Sequence, residues 1–251
     1  MAKQSSLPAT GRLSALRLRV VDADRAARFF GALLGAKTER KRIRSHTEQW
    51  IVASSSLVEP IDAVFTDDRT APPARLCFAT EDPEAAIART IALGGSGRDT
   101  SDARDDQGVP LAFYVPAATT EQTRSQAAAG VLGVVIVLVP DTAKARHFHS
   151  GLFGQEFHKV GSGGDFWWVS NGPSMGIFPA THDVTNPKVP RTEKGLDVHA
   201  LFCVNDLERA MTAVRELGGK TLDRARMGPY HVCDCRDDQG TRFGLWWDPS
   251  K

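Results

Sequence analysis

The sequence predicts an α+β chain of four βαβββ units, paired into two domains with cupped mixed sheets and helices on the outer face. Three observations predict it. RDDQG occurs twice, at Arg104 and at Arg236, each time as a polar turn ahead of an apolar, strand-like run. LRLRVVDADRAARFFGALLGA from Leu16 is answered by VVIVLVPDTAKARHFHSGLFGQ from Val134, with Asp22, Phe29 and Gly35 matched by Asp141, Phe148 and Gly154, each 119 residues on. RLCFATEDPEAAIARTIALGG from Arg75 and HALFCVNDLERAMTAVRELGG from His199 are the other two copies, and these lead into the RDDQG turns. Self-similarity at a fixed offset is the signature of a repeated structural unit.

Each unit opens on a short apolar, β-branched run that reads as a strand. The Asp that ends it has the side-chain oxygen that caps a following helix. The helices are amphipathic. In the last copy Leu207, Ala210, Met211, Val214 and Leu217 recur at helical spacing, and Gly218-Gly219 supplies a left-handed stop. Strands close each unit. In the third copy FWWVS and SMGIF flank Asn171-Gly172, a pair suited to a two-residue hairpin turn, which predicts that Trp167 pairs with Gly176. One unit cannot cover both faces of its own small sheet, so units pair, burying the helix-bearing side and leaving the other as a cup. The polar stretch AATTEQTRSQAAA lacks strand alternation and predicts a linker over 117–128, between domains at 11–116 and 129–250. Pairing of units within each half and across the halves both fit the sequence.

The balance of 31 basic and 30 acidic residues over 251 leaves a net charge of +1, which removes the electrostatic case for nucleic acid or an anionic membrane. No apolar run is long enough to span a bilayer, and MAKQSSLPATGR lacks the apolar stretch of a signal peptide. A soluble cytoplasmic protein, monomer or homodimer, with a small-molecule partner is expected. Cys77, Cys203, Cys233 and Cys235 show no CxxC spacing and read as reduced.

The strand-V-x-D-helix openings, the LLGA and LFGQ helix ends, the LGG endings and the DDQGxxFGLW close together resemble the vicinal oxygen chelate superfamily, which includes glyoxalase I, extradiol dioxygenases and the bleomycin and fosfomycin resistance proteins. The resemblance covers nearly the whole chain. It implies the fold closely and the function loosely, since isomerases, dioxygenases and drug-binding proteins share these motifs. It also implies where a metal would sit, on His or Glu of the first and last strands. The first-strand positions are Ala15, Arg75, Val134 and His199, and the last-strand positions are Ala112, Gly176 and Gly244, with unit one ambiguous between Asp62 and Ala63. One histidine does not make a metal site, so no metal and no cofactor are expected.

Strand alternation turns His199, Leu201 and Cys203 into the second cup, with Val134, Ile136 and Leu138 beside them. Trp167 and Asp165 are expected there too, with Trp168 in the core. Arg242 and Trp246 flank Gly244, and Tyr230, Val232 and Asp234 share the face. Apolar walls with a few polar groups are the composition of a small-molecule pocket. The first cup is expected to hold Arg17, Arg19 and Arg75, with Arg75 and Asp102 pairing or the arginines taking an anion. His231, Cys233 and Cys235 read as core residues, and His147 and His149, two apart on a helix, as packing or surface. ERKRIR from Glu39 reads as a solvated strand.

The leading expectation is a protein whose second cup binds an apolar or aromatic metabolite or drug without a family-type metal, as sequestering relatives do. The alternative is a metal-independent or weakly metal-dependent isomerase, lyase or natural-product tailoring enzyme in which His199 and Asp234 form an acid-base pair. A partner-binding module with a degenerate cup is a third reading.

Overall fold

The computed structural model describes residues 11–43, 46–51, 61–115, 132–160, 164–171, 175–181 and 197–250, with the backbone alone at 41–43 and 46–51. The expected linker and Gly172 of the expected hairpin turn lie outside these residues.

The first unit is β1 (Arg12–Arg19), α1 (Ala23–Leu34), β2 (Thr38–Ile43), β3 (His46–Ile51) and β4 (Asp62–Thr66); the second is β5 (Ala74–Ala79), α2 (Pro83–Ala92), β6 (Ser96–Asp99), β7 (Asp102–Arg104) and β8 (Pro110–Tyr114). The third is β9 (Leu132–Val139), α3 (Thr142–Phe153), β10 (Phe157–Lys159), β11 (Trp167–Val169) and β12 (Met175–Pro179); the fourth is β13 (Asp197–Cys203), α4 (Leu207–Glu216), β14 (Lys220–Met227), β15 (Tyr230–Arg236) and β16 (Arg242–Trp247). Each helix starts where an Asp side chain accepts first-turn N–H groups: Asp22 from Arg25, Asp82 from Ala85, Asp141 from Ala143 and Lys144, Asp206 from Arg209. Gly35 and Gly154 end α1 and α3 in the left-handed conformation, at φ 64° and 65°.

Units pair within each half. One sheet has the order β2-β3-β4-β1-β5-β8-β7-β6 and the other β10-β11-β12-β9-β13-β16-β15-β14. The joins are the antiparallel pairs β1–β5 and β9–β13, flanked by parallel pairs β1–β4, β5–β8, β9–β12 and β13–β16. A parallel strand pair requires a long crossover, and the helix of each unit provides it.

The helices cover the face of each sheet opposite its cup, and these two faces meet. Phe30 of α1 stacks on Phe65 of the first sheet, 4.7 Å between centroids, and also touches Phe202 and Phe243 of the second. Phe153 of α3 reaches the other way, onto Phe78 of the first sheet at 4.3 Å. A single apolar core, containing Leu16, Phe30, Leu76, Val137, Phe148 and Phe243, therefore runs through both halves and leaves the cups turned outward. Burial on this scale is the main favourable term in holding the halves together. No helix among the described residues is long and apolar enough to cross a membrane.

The RDDQG turns join β7 to β8 and β15 to β16, and in both the Arg, the first Asp, the Gln and the Gly are used in the same way. In the second turn Asp237 Oδ1 accepts from the Gln239 and Thr241 amides, Arg236 donates to the Gly240 carbonyl, and Gly240 takes φ 89°. The first turn repeats this with Asp105, Arg104 and Gly108. The glutamines reach across the molecule. Gln239 bonds both backbone polar groups of Asp22, and Gln107 both of Asp141. The same turn appears twice because each half holds the other at the cap of its first helix.

Candidate functional site

The floor of the second cup is built on four adjacent strands of its sheet, β9, β13, β16 and β15. On β9, Val134, Ile136 and Leu138 face it, and on β13 so do His199 and Leu201, through the cross-strand pairs Ile136–His199 and Val134–Leu201. Val232 and Trp246 pair across β15 and β16, as do Asp234 and Gly244. Gly244 also pairs with Leu201, so it lies between β13 and Asp234. Having no side chain there matters, because a Cβ on Gly244 would stand 3.1 Å from His199 Nε2 and against Leu201. The gap lets His199 face Asp234, with Nε2 3.7 Å from Oδ1. Both residues are 2% exposed.

Asp234 is held from several sides. Arg242 donates to Oδ2 from Nε at 2.7 Å, with Nη2 2.6 Å from the same oxygen, and the Cys235 amide donates to Oδ1 at 3.1 Å. A buried carboxylate needs such partners, and the half-buried guanidinium supplies the compensating charge. His199 lies beyond hydrogen-bond distance of that carboxylate, so the pair is close without being joined. The same cup carries partly exposed aromatic rings. Tyr230 packs edge-on to Trp246 at 4.7 Å, Phe166 lies 4.7 Å from Phe178, and Trp168 meets Phe178 edge-on at 5.6 Å.

Two residues expected in this cup are elsewhere. Trp168, and not Trp167, pairs with Gly176, while Trp167 pairs with Ile177. A register change of one residue moves every side chain of a strand to the other face. Trp167 therefore packs on the helix side, where the Arg146 guanidinium lies 3.6 Å from its ring centroid. Asp165 goes with it, accepting from Trp167 Nε1 at 2.8 Å and from the Thr142 hydroxyl in the first turn of α3. Those bonds, the Thr142 one first, hold the exposed Asp165 carboxyl below its ordinary pKa. Trp168, Phe166 and Phe178 are the cup residues that the sequence reading missed. Pro173 was the available signal: a two-residue turn would have placed it in the ladder, where it has no N–H to give.

The positions that would carry a metal in this type of cup hold Val134, His199, Gly176 and Gly244 in the second half, and Ala15, Arg75 and Ala112 in the first. One nitrogen donor, beside a carboxylate already committed to Arg242, does not fit a divalent ion. Among the described residues no group of three or more His, Cys, Asp or Glu side chains could hold one.

Comparison with known proteins places this architecture. Residues 15–119 match the family model described as a glyoxalase-like domain. The 2,3-dioxygenase LapB from Pseudomonas sp. KL28 superposes over 96% of this chain and 93% of its own, at TM-score 0.62 and 15% identity. This is the vicinal-oxygen-chelate fold. The Mn(II)-bound glyoxalase from Novosphingobium aromaticivorans matches over 95% of this chain and 82% of its own, at TM-score 0.61 and 11% identity, and a catechol 2,3-dioxygenase over 95% and 88%, at 0.58 and 13%. At such identities the likeness of these two-domain vicinal-oxygen-chelate structures is one of fold. No curated protein matches the chain.

Two clefts, of about 660 and 280 Å³, lie outside the cups, one along α3 and β10 and the other beside the N-terminus of α4. Buried polar groups and aromatic rings converge in the second cup, which makes it the better candidate.

Proposed function

We propose that the second cup binds a small, largely apolar, aromatic molecule, and that it does so without a family-type metal. The carrying observation is that partly exposed Phe166, Trp168, Tyr230 and Trp246 share the second cup with the buried Asp234 and its partner Arg242. Aromatic rings offer large apolar contact at low entropy cost, and Arg242, 27% exposed, can turn a donor to a hydroxyl or carbonyl of the ligand. Catechol, named for one structural neighbour, has this shape and polarity.

The test is native mass spectrometry of the intact chain with a panel of phenols and naphthols, followed by analysis of the recovered ligand. One ligand per chain, returned unchanged, supports binding alone. Retention of none of the panel contradicts the reading.

The approach of His199 to within 3.7 Å of Asp234 favours a second reading, in which the two move a proton on a bound substrate. In that case the ligand is recovered altered, and His199→Gln slows its conversion by about 10² or more while leaving binding within about tenfold.

A further inference from the structure

The third unit departs from the first where α3 meets β10. At the fixed offset of 119 residues, Arg146 stands where the first unit has Ala27, Ser150 where it has Gly31, and Gln155 where it has Ala36. The first unit closes the same helix with small residues, so the fold itself does not require the polar ones. All three polar residues line the cleft of about 660 Å³ along α3 and β10, a size suited to a small molecule.

Gln155 is 2% exposed, and among the described residues neither its Nε2 nor its Oε1 has a hydrogen-bond partner. Leaving a buried donor or acceptor unsatisfied costs about 1–3 kcal/mol, so such a group in a native fold points to a partner that comes from outside. The residue is fixed in place. The Ser150 hydroxyl donates to its backbone carbonyl at 2.6 Å. Arg146 lies one helical turn before Ser150 on the same face, about 6 Å along the axis. Its guanidinium rests 3.6 Å from the centroid of the Trp167 ring, and its buried Nε has no acceptor among the described residues. Asp165, an acid within the field of Arg146, already accepts from Trp167 Nε1 and the Thr142 hydroxyl. Glu156, at the β10 end of the lining, is exposed.

We infer that this cleft is a ligand site, separate from the second cup, which receives a small carboxylate carrying a cyclic-amide or ureido group. In such groups an N–H and a C=O lie side by side, and the Gln155 amide matches both, with Nε2 donating to the ligand carbonyl and Oε1 accepting from its N–H. The Arg146 guanidinium, held by stacking on Trp167, receives the carboxylate one helical turn away.

The test is isothermal titration of the intact chain with 5-oxoproline, which joins a carboxylate to a lactam. Cyclopentanecarboxylate lacks the amide edge and 2-pyrrolidone lacks the carboxylate. Wild type takes up 5-oxoproline saturably, one per chain, and either fragment at least about tenfold more weakly. Gln155→Ala restores the residue of the first unit; it binds 5-oxoproline at least about tenfold more weakly, and the ligand no longer raises its unfolding temperature. If Gln155→Ala does not fold, Arg146→Ala, which matches Ala27, carries the same expectation. Arg215→Gln, on α4, binds as wild type does. Absence of saturable uptake, equal binding of either fragment, or unchanged affinity in Gln155→Ala overturns the assignment.

Discussion

Gln239 and Asp22, 217 residues apart, exchange two hydrogen bonds: the Asp22 amide donates to Gln239 Oε1 at 2.7 Å, and Gln239 Nε2 donates to the Asp22 carbonyl at 3.0 Å. Gln107 and Asp141 make the same exchange, both bonds at 2.8 Å. Asp22 and Asp141 are the cap residues of α1 and α3, so the clasps fix how one half's helices sit against the other half's turn. The ion pair of Arg25 with Asp238 adds to one of them.

Removing a clasp should cost what two solvent-accessible hydrogen bonds are worth. Gln239→Ala is expected to lower the unfolding free energy by about 1–3 kcal/mol, and Gln107→Ala by a similar amount. Chemical denaturation measures both. The double variant should show the sum, since the two clasps share no partner.

The LGG endings predict a second, steric cost. Gly218 takes φ 84°, but Gly219 is required by proximity: a Cβ there would stand 2.6 Å from the Arg236 carbonyl that opens the RDDQG turn. Gly95 meets Arg104 in the same way at 2.5 Å. Gly219→Ala should destabilise by about 1–3 kcal/mol, because backbone must move to admit the methyl group. A thermal melt unchanged from wild type would refute this.

Stability should respond to pH through the first turn. Burial pushes the Asp105 carboxyl up to about 6, against its backbone hydrogen bonds, so the folded state binds the proton more tightly than the unfolded state does. Its contribution is fully present below the ordinary value of 3.8 and is lost as pH rises through about 6. Unfolding free energies measured from pH 4 to 7 should lose this component in Asp105→Asn.

His149 acts in the opposite sense. It is fully buried beside Phe78 and Phe148, and burial holds its pKa down to about 4. Its contribution is present above the ordinary value of 6.5 and is lost as pH falls through about 4. In wild type the two slopes oppose one another. His149→Phe should therefore leave the Asp105 slope exposed, and a variant with the same pH profile as wild type would exclude His149 from the balance.

The fold was legible because local signals were repeated. Four caps, the glycine helix ends and a fixed offset of 119 residues specify strand, helix and order with little help from tertiary context. Which units would pair was not legible, since β1 offers the same apolar faces to either partner; long-range packing around Phe30 and Phe153 accompanies the arrangement observed. The face carrying His199 and Asp234 could be read from strand parity. Trp168 was misassigned because parity through β11 depended on the loop after Val169, where Pro173 was the one signal against a two-residue turn, and one residue there exchanges the two tryptophans between core and cup.

The most direct measurement of the central claim follows from that exchange. N-phenyl-1-naphthylamine, an uncharged aromatic probe, is titrated into the intact chain while its own emission and the quenching of tryptophan are recorded. Wild type and Trp167→Leu should bind it saturably with equal affinity, whereas Trp168→Leu, lacking the ring that packs edge-on to Phe178, should bind it at least about tenfold more weakly. Equal affinity in Trp168→Leu, or a loss confined to Trp167→Leu, would contradict the placement of the ligand in the second cup.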